Sequence, residues 1–310
     1  MRDEVLNSIN RLFSVSLREK LKCILSGEYS VEEIRLRVGQ PLVARTSEGE
    51  MFIKENGEIT RLYMDSYMVK ERDVAETLEY VSNYSLYAFE EEIKQGYITV
   101  MGGHRVGLCG RVLVSNGEIR HIKNISFINI RIAHEVKGCS NGIIRRLYKD
   151  KYHIYNTLII SPPKMGKTTL LRDIIRNVSN GSENDNIKGL NVGLADERSE
   201  IASCYLGKPQ NEVGIRTDVL DGVPKALGIM ILVRTMSPDV IAVDEIGLES
   251  DVNAILEGIN CGCSLIGTIH GVSVDDIQRR PAVKVLIESG IFQKYIVIKR
   301  INEKVIYEIV

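Results

Sequence analysis

The sequence lacks the long hydrophobic run that a membrane-spanning helix needs. Its longest stretch of apolar residues and glycine, 226–233, is far shorter than the roughly 20 residues that cross a bilayer as a helix. Residues 1–4 do not have the basic-then-apolar order of a signal peptide. We therefore expect a soluble protein of the cytoplasm.

The sequence also has little surplus charge and no cysteine pattern typical of a metal site. Its 40 Lys and Arg residues against 41 Asp and Glu residues leave a net charge of -1. This balance gives no electrostatic signature of a general binder of nucleic acid or membrane surfaces. The six cysteines include one C-x-C pair, Cys261 and Cys263, and no C-x-x-C. We interpret them as reduced and mostly buried thiols rather than as a zinc ribbon or a disulfide framework.

The first part of the chain mixes helix and strand patterns. Apolar positions recur at near-helical spacing over 4–25, and residues 34–38 alternate between apolar and basic, as in a strand. Two Asn-Gly pairs, at 56–57 and 116–117, each stand between short strand-like runs and predict β-hairpins with type I′ turns. We predict a smaller α+β N-terminal domain over residues 1–138.

After a segment rich in Gly, Ser and Asn, the pattern changes to apolar runs followed by helices. The run 157–160 precedes a loop and then a helical pattern that ends at Gly181. A second helix is indicated at 251–260. Further candidates for buried strands are 190–195, 240–243, 264–269 and 295–298. This succession predicts an α/β domain over residues 139–310, in which helices cover a mostly parallel sheet.

The segment SPPKMGKTTLLRD at 161–173 is close to the phosphate-binding loop G-x-x-x-x-G-K-S/T. It follows an apolar run and opens a helix, whose first N–H groups and positive dipole end suit a phosphate. Lys167 is predicted to contact the β and γ phosphates, and the Thr168 hydroxyl to bind Mg²⁺. The predicted nucleotide-binding residues are Ser161, Pro162, Pro163, Lys164, Met165, Gly166, Lys167, Thr168 and Thr169.

Ser161 stands where this pattern has a glycine. The N–H donors of such a loop lie around 164–168, so the serine removes none of them. If the position requires a positive φ, serine costs on the order of 1–2 kcal/mol of strain. We then expect a modest loss of nucleotide affinity, which Ser161→Gly relieves. For this motif by itself, a strand-to-helix turn with a structural role only is the alternative.

Polar side chains follow the other predicted strands. PDVIAVDEIG ends one strand with Asp244, predicted to hold Mg²⁺ through water, and Glu245, predicted to orient and deprotonate the attacking water. ADERSE places Glu197 after a second strand, and GTIHG places His270 after a third, where it can sense a γ-phosphate. Ligands of open α/β sheets bind at this carboxyl edge. Taken singly, each acid could instead cap a helix, and the histidine could be structural.

Five arginines are candidates for the finger that stabilises charge during phosphoryl transfer. We place Arg216 and Arg234, which lie between the two acidic segments, in the predicted catalytic set. Arg105, Arg111 and Arg131 lie in the first domain. Each of the five could equally be a solvated surface charge, and a finger can also come from a neighbouring subunit of a ring.

The order of GKTT, DER, DEIG and TIHG resembles the secretion ATPase superfamily, the ring motors of type II and type IV secretion. More narrowly, DERSEIA, PQNEVGIRTDVLDGVPKA, RTMSPDVIAVDEIG and RRPAVKVL resemble the stage III sporulation protein AA family of endospore-forming bacteria, and EEIRLRVGQPL and GGHRVGLCGRV extend the resemblance into the first domain. Against the family's usual GPPGTGKTT, this chain departs at Ser161, Lys164 and Met165, and we expect the last two to cost little.

The resemblance implies a RecA-like P-loop ATPase domain that binds ATP and Mg²⁺. It also implies a homo-oligomeric, hexameric ring in the cytoplasm of the mother cell. Such a ring docks on membrane-embedded proteins of a sporulation complex and energises a channel to the forespore.

Two further functions stay open beside this one. An assembly scaffold that binds ATP with negligible turnover is the first alternative. A nucleic-acid binder is the second, since Gly107–Gly110 fits a GxxG loop. The net charge of -1 is against it, so we expect no nucleic acid as a partner.

Overall fold

The chain folds into two compact units, residues 1–134 and 135–310. The computed structural model describes residues 2–115, 117–302 and 304–310. The predicted turn at 116–117 therefore lies partly outside the described residues, because Asn116 is not among them. Within the described ranges, no helix is both long enough and apolar enough to cross a membrane.

The first unit is built on one antiparallel sheet. Apart from short 3₁₀ turns, its elements are α1 (Arg2–Asn10), α2 (Val15–Leu21), β1 (Val31–Arg37), β2 (Val43–Thr46), β3 (Gly49–Ile53), β4 (Ile59–Thr60), α3 (Glu71–Val81), α4 (Glu90–Lys94), β5 (Tyr97–Thr99), β6 (Arg105–Ser115) and β7 (Glu118–Arg131). The strand order is β4-β3-β2-β1-β7-β6-β5. The Asn56-Gly57 pair turns the chain between β3 and β4, but the predicted turn type is wrong. Gly57 has a φ of 84°, whereas Asn56 lacks the positive φ that a type I′ turn also requires. This unit has the α+β character that the sequence predicts.

The GxxG segment is part of a strand, so its interpretation as a nucleic-acid-binding loop is wrong. Gly107 to Gly110 lie within β6, which pairs with β7. The register of that pair shifts between Cys109 and Arg111, which makes a bulge at Gly110. A Cβ on Gly110 would lie 2.5 Å from the carbonyl oxygen of Lys123. The glycine is therefore explained by close backbone approach across the bulge.

The second unit has a mostly parallel sheet with helices on both faces. Its elements are β8 (Thr157–Ser161), α5 (Lys167–Asn180), β9 (Val192–Asp196), β10 (Thr217–Asp221), α6 (Lys225–Met236), β11 (Val240–Val243), α7 (Glu249–Asn260), β12 (Ser264–His270), α8 (Val274–Gln278), α9 (Pro281–Glu288), β13 (Lys294–Ile301) and β14 (Lys304–Ile309). The strand order is β10-β9-β11-β12-β8-β13-β14, and β14 alone among these strands runs antiparallel to its neighbour. The predicted α/β class and the mostly parallel sheet are confirmed.

The central strands carry apolar side chains on both faces because each face has its own core. Ile159 of β8 packs with the buried side of α5, whereas Leu158 and Ile160 pack with α6, α7 and α9. A strand buried on both sides reads as a continuous apolar run, which is why 157–160 was recognisable. The sequence did not reveal the edge strands β10 and β14, whose residues are largely half-buried or exposed.

The Gly-, Ser- and Asn-rich segment at 137–142 is fixed to the second unit by hydrogen bonds. The N–H groups of Gly138 and Ser140 donate to the two carboxylate oxygens of Asp173 on α5, at 2.9 and 2.7 Å. Burial raises the pKa of Asp173, but these bonds and the Arg176 guanidinium hold it below its usual value. A charged carboxylate therefore anchors this segment to the middle of α5.

Candidate functional site

Four parallel strands end at one edge of the second sheet, and their order in space differs from their order in the chain. The order across the edge is β9, β11, β12, β8. The register pairs His270 with Ser161, and Val243 with both Gly267 and Ala195. Because the strands end nearly level, the side chains that follow them are brought together. The strand β12 lies between the two strands that carry the loop and the acidic pair.

The loop after β8 leads into the open N-terminus of α5. Gly166 is the N-cap residue of α5 with a φ of 87°, and no side chain caps the first amides of this helix. The Lys167 side chain is only 8% exposed and points towards the acidic pair, with Nζ 3.7 Å from Asp244 and 3.8 Å from Glu245. Uncapped amides, a helix dipole and a buried lysine make this loop suited to an anion such as a phosphate.

The backbone strain of this loop lies at Lys164 and not at Ser161. Ser161 is the last residue of β8, so its backbone is extended, and its hydroxyl donates to the Pro162 carbonyl at 2.8 Å. The condition under which the serine would be strained is therefore not met. Lys164, which we expected to cost little, has a φ of 61° and stands where the family's pattern has a glycine. The expected benefit of Ser161→Gly has no structural basis.

Asp244 lies between two threonine hydroxyls. The Thr168 hydroxyl is 3.2 Å from Oδ2 of Asp244, and the Thr268 hydroxyl donates to Oδ1. Thr268 occupies this place because its neighbour Gly267 pairs with Val243 across β12 and β11. A carboxylate beside the Thr168 hydroxyl offers the hard oxygen ligands that Mg²⁺ takes. The arrangement fits the predicted metal-binding role of both residues.

The carboxylate of Glu245 is surrounded by cationic or proton-donating groups. Arg198 Nη1 lies 2.7 Å from Oε2, and His270 Nε2 contacts Oε1, which also lies 3.8 Å from Lys167 Nζ. Burial raises the pKa of Glu245, but Lys167, Arg198 and His270 together hold it below its usual value. The backbone of Glu245 has a φ of 60°, and its N–H donates to Thr268 Oγ1 at 2.9 Å. Strain of this kind in a non-glycine residue is typical of functional sites.

The two acids at the end of β9, Asp196 and Glu197, do not join this cluster. Glu197 forms an ion pair of 2.6 Å with Lys225 at the start of α6. Asp196 is buried and accepts the N–H groups of residues 200, 201 and 202 at 2.9–3.0 Å. Burial raises the pKa of Asp196 to about 6. Asp196 thus fixes the following turn, and within this chain Glu197 contacts Lys225 rather than the cluster around Lys167.

The two arginines predicted to be catalytic lie at the opposite, amino edge of the sheet. Arg216 directly precedes β10, and its guanidinium donates to the carbonyl of Ser179 near the end of α5, at 2.9 Å. Arg234 is an exposed residue in the last turn of α6. That helix runs antiparallel to β9, since Gly228 lies against Ala195 and Leu232 against Gly193. Neither arginine reaches the cluster in its own chain.

The structure adds two residues that the sequence did not identify, Arg198 and Thr268. Thr268 could not be found without the strand order, because it lies on β12 and serves an acid of β11. Arg198 is part of the DERSE motif, but nothing in its sequence position distinguishes it from a surface arginine. His270 was predicted and is brought to the cluster, and its buried Nδ1 has no hydrogen-bond partner among the described residues.

Among the described residues, few protein oxygens are available to a metal ion beside Thr168. In the part of the chain that the structure describes, no group of three or more His, Cys, Asp or Glu side chains could hold a metal ion. Thr168 and Asp244 offer a hydroxyl and a carboxylate. Mg²⁺ commonly takes its other ligands from water and phosphate oxygens, so this pair fits Mg²⁺ that arrives with a nucleotide.

Comparisons of sequence connect the whole chain to one family. Residues 3–307 match the family model described as "Sporulation stage III, protein AA". The chain is 40% identical over 296 residues to stage III sporulation protein AA of Bacillus subtilis (strain 168), which covers 95% of this chain and 91% of that protein.

Comparisons of structure connect the fold to secretion and pilus motors. The pilus retraction motor PilT, solved with bound ADP, superposes with a TM-score of 0.60 at 17% identity, over 94% of this chain and 82% of that one. The ATPase DotB of Legionella pneumophila superposes with a TM-score of 0.53 at 16% identity, over 94% of this chain and 78% of that one. At this identity the likeness shows the fold alone, and it confirms the predicted RecA-like fold of the second unit.

Proposed function

The chain belongs to the sporulation stage III protein AA family, and from this membership we propose that it is a Mg²⁺-dependent ATPase of endospore formation. One observation carries the proposal. Lys167, Asp244, Glu245 and His270 come from three different strand ends and form one cluster at the open N-terminus of α5. Separate sequence motifs that meet in space at an anion-binding helix end are difficult to explain by structural need alone.

Binding of the phosphates falls to the loop and to the first turn of α5. The first amides of α5 have no side-chain cap, and Lys167 supplies a buried positive charge beside them. Thr168 and Asp244 would hold Mg²⁺, Asp244 through water. When bound, the ion neutralises charge that develops on the phosphate oxygens. Thr268 keeps the Asp244 carboxylate oriented towards Thr168.

Glu245 would orient the attacking water and accept its proton. Its carboxylate is engaged by Arg198 and His270, so it must be released from them before it can act as a base. His270 would contact the γ-phosphate, since it lies beside Ser161 at the start of the loop. When His270 exchanges Glu245 for the phosphate, the same exchange releases the Glu245 carboxylate.

A homo-oligomeric ring, hexameric as in the secretion ATPases, is the assembly that we propose. It would act in the cytoplasm of the mother cell, docked on membrane-embedded proteins of the sporulation complex, and energise a channel to the forespore. The fold shared with PilT and DotB supports the motor, and the Bacillus subtilis relative supports the setting. In a ring, the exposed Arg234 could act on a neighbouring subunit, whereas the backbone bonds of Arg216 give that arginine a structural role.

ATP hydrolysis measured across a protein-concentration series, with sizing in ATP and ADP, tests this proposal. Activity that rises more steeply than first order, with an ATP-dependent larger species, is the expected result for sites completed by a neighbouring subunit. Activity strictly proportional to a monomeric species rejects the ring. The absence of hydrolysis at every concentration rejects the motor.

A nucleotide-gated scaffold with negligible turnover is favoured by one specific observation. Glu245 forms an ion pair with Arg198 and contacts His270, and Lys167 together with these groups lowers its pKa, which makes it a weaker base. For a scaffold, ATP promotes the larger species while hydrolysis stays at background. The same series thus separates the two functions, because assembly and turnover are read independently.

A further inference from the structure

We propose that Arg198 is a ligand of the terminal phosphate of the bound nucleotide, and that Glu245 holds this arginine in place until that phosphate arrives. The inference rests on the proposed nucleotide site and goes beyond it. It assigns a phosphate-sensing arginine from within the chain, at a position that is distinct from each of the five arginines suggested by the sequence.

The Arg198 guanidinium lies close to the place where Lys167 would hold a phosphate. Arg198 Nη1 is 2.7 Å from Oε2 of Glu245, and the other oxygen of that carboxylate is 3.8 Å from Lys167 Nζ. The arginine and the P-loop lysine therefore stand on the two sides of a single carboxylate group. A phosphate held by Lys167 lies within reach of the same guanidinium after a side-chain rotation.

Glu245 lies among side chains that also suit a phosphate. Lys167, Arg198 and His270 converge on this carboxylate. A terminal phosphate has three acceptor oxygens and more negative charge than a carboxylate, and arginine binds phosphate in a bidentate fashion. Glu245 thus occupies the place of an anion that these three groups would bind more strongly. Arrival of the phosphate gives them a better partner and frees the carboxylate for water.

The Arg198 side chain is able to exchange its partner. Its side chain is 65% exposed, and it belongs to the turn after β9. Arg172 on α5 shows the contrasting case. It is part-buried and donates to the carbonyls of Glu200 and Ile201, each at 2.6 Å, so it is fixed to that same turn. The turn is therefore held by Arg172 and Asp196, while Arg198 is free to change partners without disturbing it.

Nucleotide discrimination is the property that follows. Because ADP lacks the terminal phosphate, Arg198 should strengthen binding of the triphosphate and leave the diphosphate unaffected. Removing the charge of Glu245 should release Arg198 and strengthen binding of the triphosphate. The arginine's contribution should then be larger, because no carboxylate competes for it.

Calorimetric titration of the full chain with a non-hydrolysable ATP analogue and with ADP, both with Mg²⁺, tests this inference. The variants are Arg198→Gln, Arg198→Lys, Glu245→Gln and the double change. Arg146→Gln, which removes one exposed arginine charge from the same unit, is the matched control. We expect Arg198→Gln to weaken the ATP analogue at least tenfold and ADP less than twofold, with partial recovery in Arg198→Lys and no change in Arg146→Gln.

The double variant separates phosphate binding from a positioning role. If Arg198 binds the phosphate, its replacement still weakens the ATP analogue in the Glu245→Gln chain, by at least the same factor. If Arg198 acts only through Glu245, its replacement has no effect in that chain, and the inference is overturned. Equal loss for ATP and ADP also overturns it. If nucleotide binding depends on Lys167 but not on Arg198, this inference alone is rejected. If wild type binds no nucleotide, the proposed function is rejected as well.

Discussion

The two edges of the parallel sheet use the same residue types in different ways. At the carboxyl edge, Lys167 and Arg198 contact carboxylates that a ligand could replace. At the amino edge, Arg216 donates to a backbone carbonyl of α5, and Asp239 accepts the N–H of Asn191. Backbone groups are permanent partners, whereas side-chain ion pairs near solvent can be exchanged. The partner of a charged group, more than its type, therefore separates a functional site from a structural one.

Loss of the P-loop lysine should give the largest effect at the carboxyl edge. We expect Lys167→Ala to weaken ATP at least 100-fold, since it removes the buried positive charge at the helix end. Titration with ATP and Mg²⁺ measures this, with Lys151→Ala, an exposed lysine of the same unit, as the control. Equal affinities for wild type and Lys167→Ala would remove the distinction between the edges.

Asp196 should make the turn after β9 sensitive to pH. Its pKa is raised to about 6 by burial, against about 4 in an unfolded chain. Between these two pKa values, Asp196 keeps its proton in the folded chain and has lost it in the unfolded chain. The free energy of unfolding should therefore fall by about 2–3 kcal/mol as the pH rises from 4 to 6. Urea unfolding of wild type and Asp196→Asn across pH 4–7 measures this, because the variant lacks that decline. A constant difference between the two would show that the three N–H donors outweigh burial.

Arg216→Gln should affect stability and leave the carboxyl edge unchanged. We expect the free energy of unfolding to fall by about 1 kcal/mol, because the hydrogen bond to the Ser179 carbonyl is lost. ATP affinity should stay within twofold of wild type. Denaturant unfolding and nucleotide titration on the same preparations measure both. A large loss of affinity with unchanged stability would place this arginine in the site.

The smallest expected effects distinguish the two unusual residues of the loop. Lys164→Gly should raise the free energy of unfolding by about 0.5–1 kcal/mol, because the lysine has a φ of 61°. Ser161→Gly should lower it by a similar amount and should not strengthen ATP binding, because Ser161 ends a strand. Thermal unfolding of both variants tests this. The reverse order would restore the serine as the strained residue.

The sequence predicts much of the carboxyl edge because its chemistry is local. Lys167, Thr168, Asp244 and Glu245 follow apolar runs with recognisable spacing, and parallel strands bring such ends together. Thr268 was out of reach since it depends on β12 lying between β8 and β11, which is a property of the tertiary fold. The φ of Ser161 was likewise invisible, because it depends on where β8 ends.

Single-turnover ATP hydrolysis by wild type and by Glu245→Gln measures whether Glu245 is the base that activates water. Glu257→Gln, an exposed change of the same kind on α7, is the control. We predict a loss of at least 100-fold for Glu245→Gln and none for the control, because Glu245 alone of the two can reach the attacking water. Equal rates for wild type and Glu245→Gln would show that Glu245 is not the base.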